Sequence, residues 1–164
     1  MTGPAMTSPA MRSPAMRSPA MISPMIRVTR RYRFAASHRL HSRELSDAAN
    51  GDLYGKCNNP YGHGHDYVLD VTLEGPLDRA TGRVCNPAAF DRLVSESVLR
   101  DFDHKNLNED VPEFAAAVPT SENLTEAIEA RLRASWDTAF PAGWPRLRAV
   151  RIQETKRNSF EKIR

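Results

Sequence analysis

From Arg27 to His38 the chain alternates, placing Val28, Arg30, Tyr32, Phe34, Ala36 and His38 on one face, and the richness in aromatics and valine predicts a strand. A second alternating run, Tyr67-Val68-Leu69-Asp70-Val71-Thr72-Leu73, predicts another strand over about 65–74. Residues 39–56 between them are polar and rich in turn formers, which predicts a long connection. After a turn at Leu77–Gly82, Asn86 and Pro87 supply a helix cap and first residue. Phe90, Leu93, Val94 and Val98 then recur at helical spacing, so a first helix runs to about Arg100. Asp103–Asn108 interrupts the pattern with polar residues. Thr120-Ser121-Glu122 opens a second helix with Thr120 as its cap, and Leu124, Ala127, Ile128, Leu132 and Trp136 form its apolar stripe. Past a loop at Pro141–Pro145, strands are expected over about 146–154 and 158–163, with Val150, Ile152 and Glu154 on one face. The order strand, strand, helix, helix, strand, strand predicts an α+β fold: a four-stranded antiparallel sheet with two helices packed on one face. Its two open edges point to cover by another subunit.

The chemistry gathers in Lys56–Tyr67, KCNNPYGHGHDY. His63 and His65 are two apart at the mouth of the second strand, so both rings point to one face. Gly62 and Gly64 let the backbone turn tightly and leave room near it. If the two strands pair as an antiparallel hairpin, His38 at the end of the first approaches His63 and His65. Zinc suits these three, because three neutral imidazoles with one open position make a catalytic site; the bland reading is that His63 and His65 decorate a glycine-rich turn. Cys57 is either a small buried hydrophobe or a thiolate able to take a proton beside the metal. Asp103 and His104 are either a helix-terminating polar pair or a carboxylate orienting a proton carrier. Glu154 either pairs with an arginine or binds a ligand. His41 reads as a surface residue, and Cys85, among apolar neighbours, as a structural thiol.

Composition narrows the picture. A chain of 164 residues, 26% charged and 40% hydrophobic, is one domain of ordinary globular make-up. Residues 1–25 repeat MTSPA, MRSPA, MRSPA, MISPM; proline at that density predicts a disordered tail or upstream extension, and no apolar core follows its arginines as a signal peptide requires. The domain is then 26–164. Taking Arg12 and Arg17 of the tail from the net charge of +3 leaves +1, a weak basis for nucleic-acid binding. No apolar run approaches the roughly 18 residues of a membrane span. Two cysteines, Cys57 and Cys85, make no disulfide framework, which points to a reducing, cytoplasmic setting.

Six blocks, FAASHRLHS, LYGKCNNPYGHGHDY, ATGRVCN, DFDHKNLNEDVP, PTSENL and RIQET, occur in an order that closely resembles the 6-pyruvoyl-tetrahydropterin synthase family, with its 6-carboxytetrahydropterin synthase branch, over residues 27–164. The resemblance implies a tunnelling fold (T-fold), in which strand pairs from several subunits form a barrel and trimers stack into a hexamer. It implies Zn²⁺ on His38, His63 and His65, and a proton-transfer set of Cys57, Asp103 and His104 at a subunit boundary. It implies a pterin gripped by Glu154, with Thr120 and Ser121 close by. The implied substrate is 7,8-dihydroneopterin triphosphate, which loses triphosphate to give 6-pyruvoyl-tetrahydropterin on a tetrahydrobiopterin-type route. The carboxy branch instead releases acetaldehyde and feeds queuosine synthesis. Five residues separate Cys57 from His63, the spacing of the pyruvoyl branch, and Cys57 argues against a third branch that carries glutamate there. Cys85-Asn86-Pro87 departs from the family's usual residues. Arg39 and Lys105 are candidate triphosphate contacts. Two other readings are a zinc- or pterin-binding module without turnover, and nucleic-acid binding through the basic tail.

Overall fold

The computed structural model describes residues 24–163, so the disordered-tail expectation lies, for residues 1–23, outside the described residues. Strand β1 (Met25–His38) begins at the last residue assigned to that tail. It pairs antiparallel with β2 (His63–Pro76) along its whole length, Met25 facing Pro76 and His38 facing His63. Strand β4 (Arg146–Gln153) pairs with the other side of β2, and β5 (Ser159–Ile163) with β4.

The sheet is not the four-stranded antiparallel one expected. A two-residue strand, β3 (Lys105–Asn106), lies parallel to β1, so the sheet has five strands in the order β3-β1-β2-β4-β5 and is mixed. So short a strand has no periodicity to read. It forms because the polar break at Asp103–His104 docks on the free edge of β1: the His104 N–H donates to the Ala35 carbonyl at 2.6 Å, and the Ala35 N–H donates to Asp103 Oδ1 at 2.9 Å.

Helices fill one face. Helix α2 (Pro87–Val94) starts as expected, with the Asn86 side chain accepting from the Ala88 and Ala89 N–H groups. It continues through a wider π turn, Ser95–Leu99, into α3 (Arg100–Phe102), two residues past the expected end. The long helix α5 (Ser121–Ala139) is capped by Thr120, whose hydroxyl accepts from the Asn123 N–H. All five stripe residues, Leu124, Ala127, Ile128, Leu132 and Trp136, are buried, and the fully buried Leu124, Ile128 and Leu132 each contribute roughly 1.5–3 kcal/mol. They share one core with Phe34 of β1, with Tyr67, Leu69, Val71 and Leu73 of β2, and with Val150 and Ile152 of β4. A bulge opposite Thr72 and Leu73 adds a residue to β4, so Leu147 faces the core as well as Val150 and Ile152.

Polar residues on the other face of the hairpin meet in register: Arg27 with Glu74, Thr29 with Thr72, and Arg31 with Asp70. Slipping the pairing by one residue would unmake every pair and turn His63 and His65 away from His38. The connection expected over 39–56 holds a short helix, α1 (Asp47–Tyr54), capped by Ser46. A one-turn helix, α4 (Leu107–Asp110), follows β3. Among the described residues no helix is long and apolar enough to cross a membrane.

Candidate active site

The register of β1 and β2 builds the centre. With His38 opposite His63 and Ala36 opposite His65, the three rings converge, their centroids 4.8, 5.0 and 4.6 Å apart pairwise. His38 is buried, and its Nδ1 lies 2.9 Å from the Pro119 carbonyl. A carbonyl only accepts, so Nδ1 carries the proton and Nε2 presents its lone pair to the cluster. That nitrogen is 3.3 Å from His63 Nε2. Two nitrogens bound to one zinc, each at about 2.0–2.1 Å in a tetrahedron, would be about 3.3 Å apart. His65 Nε2 is buried without a hydrogen-bond partner among the described residues, as expected for an atom built to meet a ligand. Burial holds the His38 and His63 imidazoles below their ordinary pKa, with their imidazole neighbours acting in the same direction. Both are therefore neutral at neutral pH, the form that binds metal.

Two more donors reach this point. Cys57 leaves the turn Gly55–Asn58 so that its sulfur, His38 and His63 place ligand atoms within 4.8 Å of one another; His38, His65 and Glu154 do the same. The Glu154 carboxylate is 3.7 Å from His65 Nε2 and 3.9 Å from His38 Nε2. Glu154 lies one residue beyond β4, in the turn to β5, and its N–H donates to the Asn158 carbonyl. The donor set fits a divalent metal: neutral imidazoles, a thiol and a carboxylate, half-buried or buried, around one point. Burial raises the Cys57 thiol's pKa and the Glu154 charge raises it further, so in the bare chain Cys57 is a thiol.

Gly62 is required by this geometry. Its φ is +69°, and a Cβ there would meet the His38 carbonyl oxygen at 3.0 Å, so only glycine lets the loop close on the end of β1. Gly64 is an ordinary strand residue, with the space for a Cβ left open to 3.7 Å.

The other candidates fall into two pairs, Thr120 with Ser121 and Asp103 with His104. Thr120 is occupied in capping α5, while Ser121 is buried with its hydroxyl unpartnered among the described residues, one residue after the cap and two after the carbonyl that fixes His38. Asp103 and His104 form a pair, Nδ1 to Oδ1 at 3.0 Å, but the His104 side chain is 81% exposed and sits at a φ of +59°. His104 and Lys105 line a shallow 400 Å³ depression with Ser37, Gly64 and His65. Arg39 instead lines a 540 Å³ cavity that includes His38. A 730 Å³ cavity between α2 and α5 is lined by none of the candidates.

The profile of the family described as 6-pyruvoyl tetrahydropterin synthase matches residues 27–162. The chain belongs to this family. It is 46% identical over 134 residues to the 6-pyruvoyl tetrahydrobiopterin synthases of Poecilia reticulata and of Homo sapiens, covering 80% of this chain and 85% and 86% of those proteins. The solved structure of the Caenorhabditis elegans 6-pyruvoyl tetrahydropterin synthase superposes with a TM-score of 0.77 at 39% identity, covering 86% of this chain and 96% of that one. Within this 6-pyruvoyl tetrahydropterin synthase fold, sequence reasoning missed the contacts of two residues. One is Pro119, whose carbonyl orients His38. The other is His41, read as a surface residue: its Nδ1 is within hydrogen-bonding distance of both the Arg39 guanidinium and the Asn58 amide, at 3.3 and 3.1 Å. Backbone roles such as that of Pro119 leave no side-chain signal, but the proximity of His41 to Arg39 was available.

Proposed function

We propose that this chain is a zinc-dependent lyase that converts 7,8-dihydroneopterin triphosphate to 6-pyruvoyl-tetrahydropterin with loss of triphosphate. The observation that carries this reading is the meeting of His38, His63 and His65 with Cys57 and Glu154 at one point, in a chain of this family. His38, His63 and His65 would hold the metal, which supplies polarisation of the substrate's side-chain hydroxyls and so acidifies the neighbouring carbon. Cys57 removes the proton from that carbon once its thiol is ionised beside the cation. Glu154, set in a turn rather than in the sheet, accepts from the adjacent amino and N–H donors of the pterin ring in two parallel hydrogen bonds. Ser121, whose buried hydroxyl has no partner among the described residues, and Thr120 would lie close to the bound pterin.

His104, oriented through Nδ1 by Asp103, carries protons on the opposite side of the substrate. Its exposure supports a place at a subunit boundary, where one chain's pair would complete another chain's site. The open edges of β3 and β5 support assembly into a hexamer of stacked trimers.

The test is direct. Zinc-loaded protein incubated with 7,8-dihydroneopterin triphosphate should release triphosphate and yield a pterin retaining all side-chain carbons by mass spectrometry. Absence of triphosphate release removes the enzyme reading, and acetaldehyde in the mixture reassigns the product to the carboxy branch.

A further inference from the structure

We infer that Arg131 of α5 is a positioning residue for the Asp103–His104 pair: it holds both ends of the segment that carries the pair and so keeps His104 where a proton can pass. The inference rests on the proton-carrying role given to His104 above.

One guanidinium closes a bracket around this segment. Arg131 donates through Nε and one terminal nitrogen to both carboxylate oxygens of Glu113, at 2.5 and 2.8 Å, and through the other terminal nitrogen to Asp101 at 2.8 Å. Its central carbon lies 4.6 Å from the centre of the Phe102 ring, a cation–π contact. Asp101 and Phe102 belong to α3, just before Asp103, and Glu113 belongs to the turn Pro112–Phe114 that follows α4. The bracket therefore encloses the pair, β3 and α4. Its later half has anchors of its own, since Leu107 and Val111 are buried and Asn108 bonds both ways with the Arg39 main chain. The pair has less: it buries no apolar side chain and reaches the sheet through Ala35. His104 moreover sits at a φ of +59°, a conformation that persists only where the surroundings impose it. Phe102 imposes it from within, fully buried and edge-on to Phe34 at 6.3 Å. Arg131 imposes it from outside. Its guanidinium holds the Glu113 carboxyl below the usual range, against burial and the opposing charge of Asp101; without it the two carboxylates repel and the bracket opens. Arg100 also pairs with Asp101, but as its sequence neighbour it spans nothing. His104 lines the depression that reaches His65, so a shift of the pair alters its distance from the candidate metal centre.

Hydrogen exchange and steady-state kinetics on the full-length, zinc-loaded protein test this together. In Arg131→Gln the His104 amide, which donates to the Ala35 carbonyl, should exchange about tenfold faster while the amides of β2 keep wild-type protection. The value of kcat should fall about tenfold, with KM for 7,8-dihydroneopterin triphosphate and zinc affinity unchanged. Arg131→Lys keeps the charge without the fork that engages both carboxylates, and should restore part of each loss. Arg27→Gln, which removes the ion pair to Glu74, should match the wild type in both readouts. Glu113→Gln opens half of the bracket and should show smaller losses of the same kind, so the point is still read if Arg131→Gln does not fold. His104→Asn suits the left-handed backbone and lacks the imidazole; adding Arg131→Gln to it should lower the residual kcat no further, because the two residues act as one unit. Wild-type exchange at His104 in Arg131→Gln, or a further loss of about tenfold in kcat on the His104→Asn background, overturns the inference. If exchange accelerates but His104→Asn turns over at the wild-type rate, the bracket stands and the proton-carrying role falls. If His104→Asn is nearly inactive while Arg131→Gln matches the wild type in exchange and kcat, that role stands and the bracket falls.

Discussion

Gly62 offers a sharp test of how the loop shapes the candidate metal centre, because Gly82 serves as its internal control. Both have positive φ, +69° and +67°, but a Cβ at Gly82 meets nothing within 4 Å, whereas at Gly62 it meets the His38 carbonyl oxygen at 3.0 Å and carbon at 3.4 Å. An alanine in left-handed conformation costs roughly 1–2 kcal/mol, partly offset by its lower freedom in the unfolded chain, so Gly82→Ala should lose about 1 kcal/mol. Gly62→Ala should lose that plus the cost of pushing two backbones apart, about 1–3 kcal/mol more. The push falls on the residue whose ring is pinned to Pro119, so the His38 nitrogen moves relative to those of His63 and His65. Zinc affinity, measured by competition with a chromophoric chelator, should fall about 10- to 100-fold in Gly62→Ala, the range typical of disturbed metal-ligand support, and stay unchanged in Gly82→Ala. Urea denaturation of the metal-free proteins measures the stability difference. Equal stability losses with equal zinc affinities would refute the claim that this glycine is set by its approach to His38.

Further outcomes follow from other sites. Cys57→Ala should abolish turnover while zinc content by atomic absorption stays at wild-type level; retained turnover would remove the base from Cys57. Asp70 accepts two hydrogen bonds from Arg31, at 2.8 and 2.9 Å, which hold its carboxyl below the usual range. Because that depressed pKa stabilises the folded state above the ordinary value and ceases to as pH falls through the folded value, Asp70→Asn should cost about 1–2 kcal/mol at neutral pH and progressively less below about pH 4; a pH-independent difference in urea midpoints contradicts this. Since His38 and His63 are held below the ordinary imidazole pKa, zinc affinity should stay level as pH is lowered to about 6.5 and decline only beneath it. A decline beginning above that value, in chelator competition across the range, would show that these rings are not neutral as described. Leu132, fully buried in α5, should cost about 2–5 kcal/mol when changed to alanine, read from the same urea curves.

The amino-acid sequence by itself determined which residues face each other in the hairpin, because a strand repeats every two residues and the apolar side has only one place to go. That is why His38, His63 and His65 were readable as neighbours, and why Asn86 and Thr120 were readable as helix starts. The family blocks carried Cys57 and Glu154 to the same centre. Tertiary structure decided what periodicity cannot encode. The backbone carbonyl of Pro119, 81 positions from His38, fixes a tautomer without any side chain to announce it. Strand β3 exists only because the edge of β1 offers hydrogen bonds to a two-residue segment too short for a pattern, and its arrival turns an antiparallel sheet into a mixed one. Whether Arg39 meets an acid or neutral acceptors, as it does in the Asn58 carbonyl and the His41 ring, depends on which residues fold near it. Local alternation specifies which face a side chain takes, whereas the partners met on that face are contributed by remote stretches of chain, and only packing brings those together.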